Sequence, residues 1–181
     1  MKLIGLVGKA GSGKDTVCQI LEEKYPSVRM GEIIVEEADR RGVDPTDENL
    51  GRIATELRER YGMGAIAERC VPKIRQLEAP VVVVNGIRGM DEVKVFEKNF
   101  GRVLLVEIWT PEKLRLERIR SRSRADDVRT LEQLRRRDER EARWGLDEAI
   151  ERAQYRIEND GSLSDLRART EALMEKIDRD P

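Results

Sequence analysis

A glycine-rich segment close to the start of the chain constrains the fold more than any other feature. The apolar run Leu3–Val7 leads directly into Gly8-Lys9-Ala10-Gly11-Ser12-Gly13-Lys14-Asp15-Thr16, and an amphipathic stretch follows it. Glycine at a strand-to-helix turn lets the backbone curl, so that successive N–H groups and the helix N-terminus point at a bound anion. The segment therefore predicts a buried strand, a phosphate-binding loop and a helix, in that order.

Short apolar runs alternate with longer amphipathic stretches along the rest of the chain, which is typical of an α/β fold with a parallel sheet. This pattern predicts a three-layer fold with a five-stranded parallel sheet. The predicted strands are Leu3–Val7, Val28–Met30, Pro80–Val84, Val103–Trp109 and Tyr155–Glu158. The predicted helices are Lys14–Lys24, Ile33–Arg41, Asp47–Tyr61, Ala65–Leu77, Asp91–Phe100, Pro111–Ser121, Leu131–Arg143 and Leu163–Ile177.

The length of 181 residues suits one domain, so we expect residues 1–181 to fold as a single domain. Within it, residues 32–78 are predicted to form a helical region that binds an acceptor. Residues 115–130 are predicted to form a lid-like segment, because Ser121–Arg129 alternates charges with almost no apolar content.

Composition excludes several classes of function. The chain has no histidine, which removes the Ser/His triad and the usual zinc ligand. Its 35 basic and 36 acidic residues nearly cancel, so overall charge does not favour nucleic acid or an anionic membrane. Cys18 and Cys70 fit no metal-ligand spacing and are predicted to be reduced and structural. The first apolar stretch is too short for a signal peptide and no later run suits a membrane span, so a cytoplasmic protein is predicted.

The loop residues are the candidates for binding a nucleoside triphosphate, ATP or GTP. Lys14 is predicted to be catalytic, because its charge would bridge the β- and γ-phosphates and offset charge that builds up during transfer. Magnesium is predicted at Thr16 and Asp15, although the hydroxyl comes one residue later than usual. Asp15 either reaches the metal through water or complements the helix N-terminus. The triphosphate ligands are predicted to be Gly8, Ala10, Gly11, Ser12, Gly13, Lys14, Asp15 and Thr16.

Polar residues follow the apolar run Pro80–Val84, and ligands gather at the carboxyl ends of parallel strands. Arg88 is predicted to bind a phosphate of the acceptor and to act in catalysis, since its guanidinium suits that group. The alternative is an ion pair between Arg88 and Asp91 at a helix start. Asn85 is neutral where many loop NTPases have an aspartate, so a role in metal binding is doubtful.

Three further groups are candidates, and each also has an ordinary structural explanation. Gly31 and Arg52 are predicted to bind the acceptor, but an ion pair with Glu56 on a solvated helix face explains Arg52 equally. Arg118 and Arg122 share a helix face with Arg115 and are predicted to reach the transferring group; the alternative is a solvated run of charges. Asn159 is a candidate to border the purine ring, and turn chemistry explains the same residue.

With these segments in order, the chain resembles the adenylate-kinase-related P-loop proteins of archaea, which are also labelled dephospho-coenzyme A kinase-like. This resemblance implies the nucleoside monophosphate kinase fold, with Gly31 and Arg88 near the acceptor phosphate. It also implies that Arg118, Arg122 and Arg124 lie near the transferring group. The motifs that carry it are Gly8–Thr16, Met30-Gly31-Glu32, Glu36-Glu37-Ala38, Glu48-Asn49-Leu50-Gly51, Gly86-Ile87-Arg88, Arg124-Ala125-Asp126-Asp127, Trp144-Gly145 and Asn159-Asp160-Gly161-Ser162.

Two departures from the kinase pattern leave the acceptor open: Val35 stands where such kinases often carry an arginine, and Asn85 where the strand often ends in aspartate. The sequence thus predicts a magnesium-dependent kinase that transfers a phosphoryl group from ATP to a nucleotide-like acceptor, a nucleoside monophosphate or dephospho-coenzyme A. The alternative is a nucleotide-dependent switch or slow ATPase that regulates a protein or RNA partner through Ser121–Arg129. Neither prediction fixes the oligomeric state.

Overall fold

The computed structural model describes residues 1–122 and 127–179, with the backbone alone for Arg122. Within these ranges five strands form one parallel sheet, in the spatial order β2-β3-β1-β4-β5. The predicted α/β class and five-stranded parallel sheet are confirmed. The strands are β1 (Lys2–Val7), β2 (Ser27–Arg29), β3 (Val81–Asn85), β4 (Val103–Trp109) and β5 (Tyr155–Glu158).

Nine helices connect and flank these strands in the described residues. The predicted helices are all present, with ends that differ by a few residues. Met30 was predicted to end a strand but begins a helix, and a six-residue helix after Trp144 was not predicted. The helices are α1 (Lys14–Glu22), α2 (Met30–Arg40), α3 (Asp47–Tyr61), α4 (Ala65–Arg75), α5 (Met90–Phe100), α6 (Glu112–Arg122), α7 (Leu131–Arg143), α8 (Leu146–Glu151) and α9 (Leu163–Arg179).

Strand β1 lies at the centre of the sheet and is buried on both faces. Leu3 and Val7 pack into one core cluster with residues of α2 to α5 and α8. Ile4 and Leu6 point the other way and pack with residues of α1 and α9. Successive side chains of a strand alternate between faces, so one continuous apolar run supplies both halves of a three-layer fold. The loop that follows β1 is thus held at the middle of the sheet edge.

Helix α7 reaches the carboxyl end of the sheet because two glycines let backbones meet. A Cβ added to Gly89 would lie 2.5 Å from the carbonyl oxygen of Trp144, and a Cβ on Gly145 would lie 3.5 Å from the Cα of Gly89. Gly89 has extended backbone angles, so close approach and not conformation requires the glycine there. This contact joins the start of α5 to the junction of α7 and α8.

Both cysteines are buried free thiols, as predicted, and burial raises the pKa of Cys70 to about 12. In the part of the chain that the structure describes, none of the helices is both long and apolar enough to cross a bilayer.

We expect the substitution Gly89→Ala to destabilise the fold, because its methyl group would overlap the Trp144 carbonyl and push α7 away from the sheet. Overpacking of this kind costs about 1–3 kcal/mol. Thermal or urea unfolding followed by circular dichroism measures the change.

Gly31→Ala is the matched control, because a Cβ at Gly31 meets nothing within 4 Å and Gly31 lies within a helix. It should leave the free energy of unfolding unchanged or raise it by up to about 1 kcal/mol. Equal stability of the two variants would contradict the close contact.

Candidate active site

The loop after β1 adopts a backbone that only glycine takes readily. Gly8, Gly11 and Gly13 have φ angles of 146°, 77° and 97°. A Cβ on Gly8 would overlap the carbonyl of Ile108, and a Cβ on Gly13 would overlap the side-chain amide of Asn159. The curl of the loop therefore depends on glycine for conformation and for space, as a phosphate-binding turn requires.

Side chains from other parts of the chain donate hydrogen bonds to carbonyl groups of the loop. Asn159 Nδ2 and Thr110 Oγ1 each donate a hydrogen bond of 2.9 Å to the carbonyl of Ser12. Arg115 donates one of 3.0 Å to the carbonyl of Ala10 and forms a buried bidentate ion pair with Asp138. The loop is thereby fixed in shape before any anion binds, which lowers the cost of binding.

Lys14 is folded against its own loop. Its Nζ atom donates hydrogen bonds to the carbonyl of Gly8 at 2.5 Å and to that of Lys9 at 3.1 Å, and the residue is only 8% exposed. Burial lowers the pKa of Lys14 to about 7, and the positive charges of Arg88 and Arg137 act in the same direction. Glu141 and Asp15 oppose the shift. An anion at this place would favour the charged ammonium.

A cavity of about 830 Å³ opens in front of the loop, between α1, α2, α3 and α7. Seven basic and four acidic residues line it, so positive charge is in excess among the described residues. The basic residues are Lys14, Arg29, Arg58, Arg88, Arg118, Arg137 and Arg140, and the acidic ones are Asp15, Glu32, Asp47 and Glu141.

Arg88 lines the cavity from the turn between β3 and α5, and its charge acts on Lys14 of the loop. Its side chain pairs with Glu141, with Nε 3.1 Å from Oε2, and its backbone N–H donates to Glu92 at 2.7 Å. The alternative pair with Asp91 is not formed, because Asp91 pairs with Lys94. Arg88 is therefore turned into the cavity.

The remaining predicted residues divide between the cavity and its surroundings. Arg118 lines the cavity, and its Nη1 atom donates to the carbonyl of Asn159 at 2.9 Å. Gly31 lines it at the start of α2. Asn159 is buried behind the loop, and its side chain does not line the cavity. The side chain of Arg122 and the whole of Arg124 lie outside the described residues.

Arg52 does not line this cavity. It is half exposed and pairs with Glu56 at 2.9 Å, as the alternative interpretation of a solvated ion-pair face predicts. It borders a second cavity of about 1050 Å³ on the other side of the contact between α3 and α7. Arg58, on the same helix, is by contrast buried and pairs with Glu92 at 2.7 Å.

Sequence reasoning missed the contribution of α7. Arg137, Arg140 and Glu141 line the cavity together with Trp144, which stacks on the guanidinium of Arg58 at 4.3 Å. Their spacing of three and four residues places them on one helical face. That spacing was the available signal, but it also occurs on solvated helices.

The cavity also has an apolar wall. It comes mostly from α2 and α3, the helices that also supply Glu32, Asp47 and Arg58. Its members are Met30, Ile34, Val35, Pro45, Leu50, Ala54 and Ile66. A ligand that fills the cavity would therefore contact both charged and apolar side chains.

The oxygen groups beside Lys14 are suited to magnesium. Asp15 and Thr16 both line the cavity, and Asn85 Nδ2 donates a hydrogen bond of 2.8 Å to Asp15 Oδ1. Magnesium prefers carboxylate and hydroxyl oxygens, and it keeps several of its waters. Asn85 at the end of β3 thus orients the carboxylate instead of supplying one.

Comparisons with known proteins identify related chains. A family model described as an AAA domain matches residues 4–145. A UPF0200/UPF0201 protein of Archaeoglobus fulgidus is 49% identical and is matched over 98% of this chain and 56% of its own length. A UPF0200 protein of Methanosarcina mazei is 43% identical, over 92% of this chain and 90% of its own length. This chain therefore spans little more than half of the Archaeoglobus relative.

Solved structures share the fold at lower identity. TT1252 from Thermus thermophilus has a TM-score of 0.64 at 20% identity, covering 97% of both chains. Shikimate kinase from Acinetobacter baumannii, in complex with shikimate, has a TM-score of 0.55 at 20% identity, over 97% of this chain and 92% of its own. A gluconokinase from Sinorhizobium meliloti scores 0.56 at 20% identity, over 97% and 95%. These likenesses establish a P-loop kinase-like fold.

The lowered pKa of Lys14 predicts that binding of a phosphate ligand is coupled to the uptake of a proton. With a pKa of about 7, the Lys14 side chain is mostly neutral at pH 8 and mostly charged at pH 6. Phosphate groups near Nζ raise that pKa, so ATP binding at pH 8 should take up as much as about one proton, and at pH 6 Lys14 should take up none. Titration calorimetry in two buffers of different ionisation enthalpy measures the uptake.

Lys14→Ala should remove the uptake from whatever binding remains. Lys94→Ala changes an exposed lysine remote from the cavity and should retain it. Uptake that persists in Lys14→Ala would assign the proton to another group.

Proposed function

Since the chain belongs to the archaeal UPF0200 family and carries a P-loop domain, we propose that it transfers a phosphoryl group from ATP to a small, phosphorylated, nucleotide-like acceptor. One observation carries the proposal. A single cavity contains a loop shaped for phosphates, which includes Lys14, and a second group of cations from outside the loop, Arg88, Arg137 and Arg140. A site for ATP alone has no need of this second group of cations.

The loop is proposed to bind the triphosphate through the backbone N–H groups of residues 8–16, with the N-terminus of α1 behind them. Lys14 turns from the loop carbonyls to the phosphate oxygens and offsets the charge that grows there during transfer. Arg118, which lines the same cavity, acts with it. Arg122 remains a candidate for the same role from the sequence alone.

Magnesium is the metal that such a site uses, held through Thr16 and Asp15, and when bound it supplies positive charge to the phosphates. Asn85 keeps the Asp15 carboxylate in place. The protein's own part is to position both substrates and to exclude water, because phosphoryl transfer asks for little covalent chemistry from side chains. The absence of histidine fits this kind of catalysis.

The mixed lining of the cavity, charged and apolar, supports a phosphorylated acceptor with an apolar or flat body. Arg88 receives its phosphate, since a guanidinium pairs with two phosphate oxygens at once. The body lies against the apolar wall, which includes Ile34, Val35 and Leu50. Gly31 leaves open space at the start of α2 for close approach. Residues 32–78 are then the proposed acceptor-binding region, and residues 115–130 remain the proposed lid, of which residues 123–126 lie outside the described part of the chain.

We expect ADP release from ATP and magnesium to be stimulated by a phosphorylated acceptor. A coupled assay should compare AMP, CMP, dephospho-coenzyme A, shikimate, gluconate and no acceptor, with GTP in a parallel series. Lys14→Ala should reduce turnover by at least about 100-fold while the circular dichroism spectrum stays unchanged, because the charge at the transferring group is lost. Lys94→Ala should turn over like the parent protein.

Slow ADP release that no acceptor stimulates would overturn the kinase proposal. That result would favour the slow ATPase or nucleotide-dependent switch.

Arg88→Ala should raise the Michaelis constant of the acceptor by about 10- to 100-fold, because a charge-assisted bidentate contact is lost. The Michaelis constant of ATP should change much less. Steady-state kinetics with each substrate varied in turn gives both values. Arg52→Ala is the matched control, since Arg52 lies on the same side of the molecule but outside this cavity. A larger effect of Arg52→Ala would move the acceptor to the second cavity.

A further inference from the structure

A buried carboxylate lies among the cations of the cavity. Glu141 lines the cavity from α7, and only 3% of its side chain is exposed. Its Oε2 atom lies 3.1 Å from Arg88 Nε, and its Oε1 atom accepts a hydrogen bond of 3.2 Å from Arg137 Nε. Burial alone would raise the pKa of Glu141, but Arg88, Arg137 and Lys14 outweigh it and lower the pKa to about 2. The carboxylate is therefore ionised at neutral pH.

One oxygen of this carboxylate is poorly satisfied. Oε2 is buried and accepts no hydrogen bond from the residues that the structure describes, because its contact with Arg88 lacks hydrogen-bond geometry. A buried acceptor in that state is costly, and folded proteins rarely keep one for structure alone. The other buried carboxylate of this region, Glu92, accepts hydrogen bonds at both oxygens, from Arg58 and from the Arg88 backbone. Glu141 thus differs from a structural ion pair.

Glu141 also lies near both the proposed acceptor site and the phosphate-binding loop. It pairs with the arginine that the proposed function assigns to the acceptor phosphate, and it faces the loop lysine. We propose that the Glu141 carboxylate is an internal anion: it occupies the place of the acceptor phosphate beside Arg88 and Arg137. A phosphate group must displace this carboxylate in order to bind. This inference rests on the proposed function for the role of Arg88.

The charges decide what can displace it. A carboxylate carries one negative charge, whereas a phosphate monoester carries about 1.5 to 2 at neutral pH. Two anions a few ångströms apart in a partly buried site repel strongly, so the two groups do not share the arginines. A ligand must therefore bring more negative charge than the group it replaces. Glu141 thereby makes the site selective for phosphate esters over carboxylic acids.

The test is the binding of inorganic phosphate, measured by titration calorimetry at low ionic strength. Glu141→Gln keeps the shape of the side chain and removes its charge, so it should bind phosphate at least about tenfold more tightly than the parent protein. Glu139→Gln makes the same change on the exposed face of the same helix. It should change the affinity by less than about twofold, because solvent and salt screen a remote charge.

If Glu141 merely positioned Arg88, Glu141→Gln would bind phosphate more weakly, and that result would overturn the inference. An unchanged affinity would overturn it too. Glu141→Asp provides a second test in case the glutamine variant does not fold. The aspartate side chain is one methylene group shorter, so its charge lies farther from Arg88 and Arg137. The Glu141→Asp variant should therefore bind phosphate more tightly than the parent protein. Weaker binding would count against the internal anion.

Arg88→Ala in the Glu141→Gln background locates the effect. The gain in phosphate affinity should disappear there, and a gain that persists would place the phosphate on the loop instead and refute the inference. Binding requires no turnover, so the two proposals fail separately. If Glu141→Gln gains phosphate affinity but the protein phosphorylates no acceptor, the internal anion is supported and the kinase proposal is refuted. If the protein phosphorylates an acceptor but Glu141→Gln does not gain phosphate affinity, the kinase proposal is supported and the internal anion is refuted.

Discussion

The gathering of several cations around one buried lysine is the constraint on which the site depends. Burial disfavours the charge on Lys14, and Arg88 and Arg137 disfavour it further. Such a cluster persists only because acidic side chains are interleaved with it, Asp15 from the loop side and Glu141 from α7. The balance is incomplete, since basic residues still outnumber acidic ones in the cavity. A polyanionic ligand completes it, which is why the electrostatics and the shape of the loop support the same kind of ligand.

The sheet order places these groups together. With β1 at the centre and β3 and β4 on either side, the carboxyl ends of three strands deliver the loop, the Asn85–Arg88 turn and Thr110 to one edge. Ligands of open α/β sheets gather at such a point, where neighbouring connections diverge. Asn159 at the end of β5 completes the support behind the loop. Residues distant in sequence therefore act as one rigid frame.

The sequence predicted what depends on local pattern and missed what depends on distant contacts. An apolar run followed by glycines and Lys14 predicts a strand, a loop and a helix without reference to the rest of the chain. The role of α7 was missed because its charges match a solvated helix, whereas its inward face depends on distant contacts such as that of Trp144 with Gly89. The burial of Arg58 depends on a distant contact as well, since its partner Glu92 lies 34 residues away. Helix α8 has six residues, too few to show a period.

The stacking of Trp144 on Arg58 has a practical consequence. The chain has two tryptophans, and the other, Trp109, lies at the end of β4 beside Arg156 and does not line the cavity. The indole of Trp144 is part of the cavity wall, and its neighbours there are charged side chains. Indole emission responds to the electric field and the water around the ring. The molecule therefore contains its own optical probe of the cavity, and Trp109→Phe would isolate that signal without adding a label.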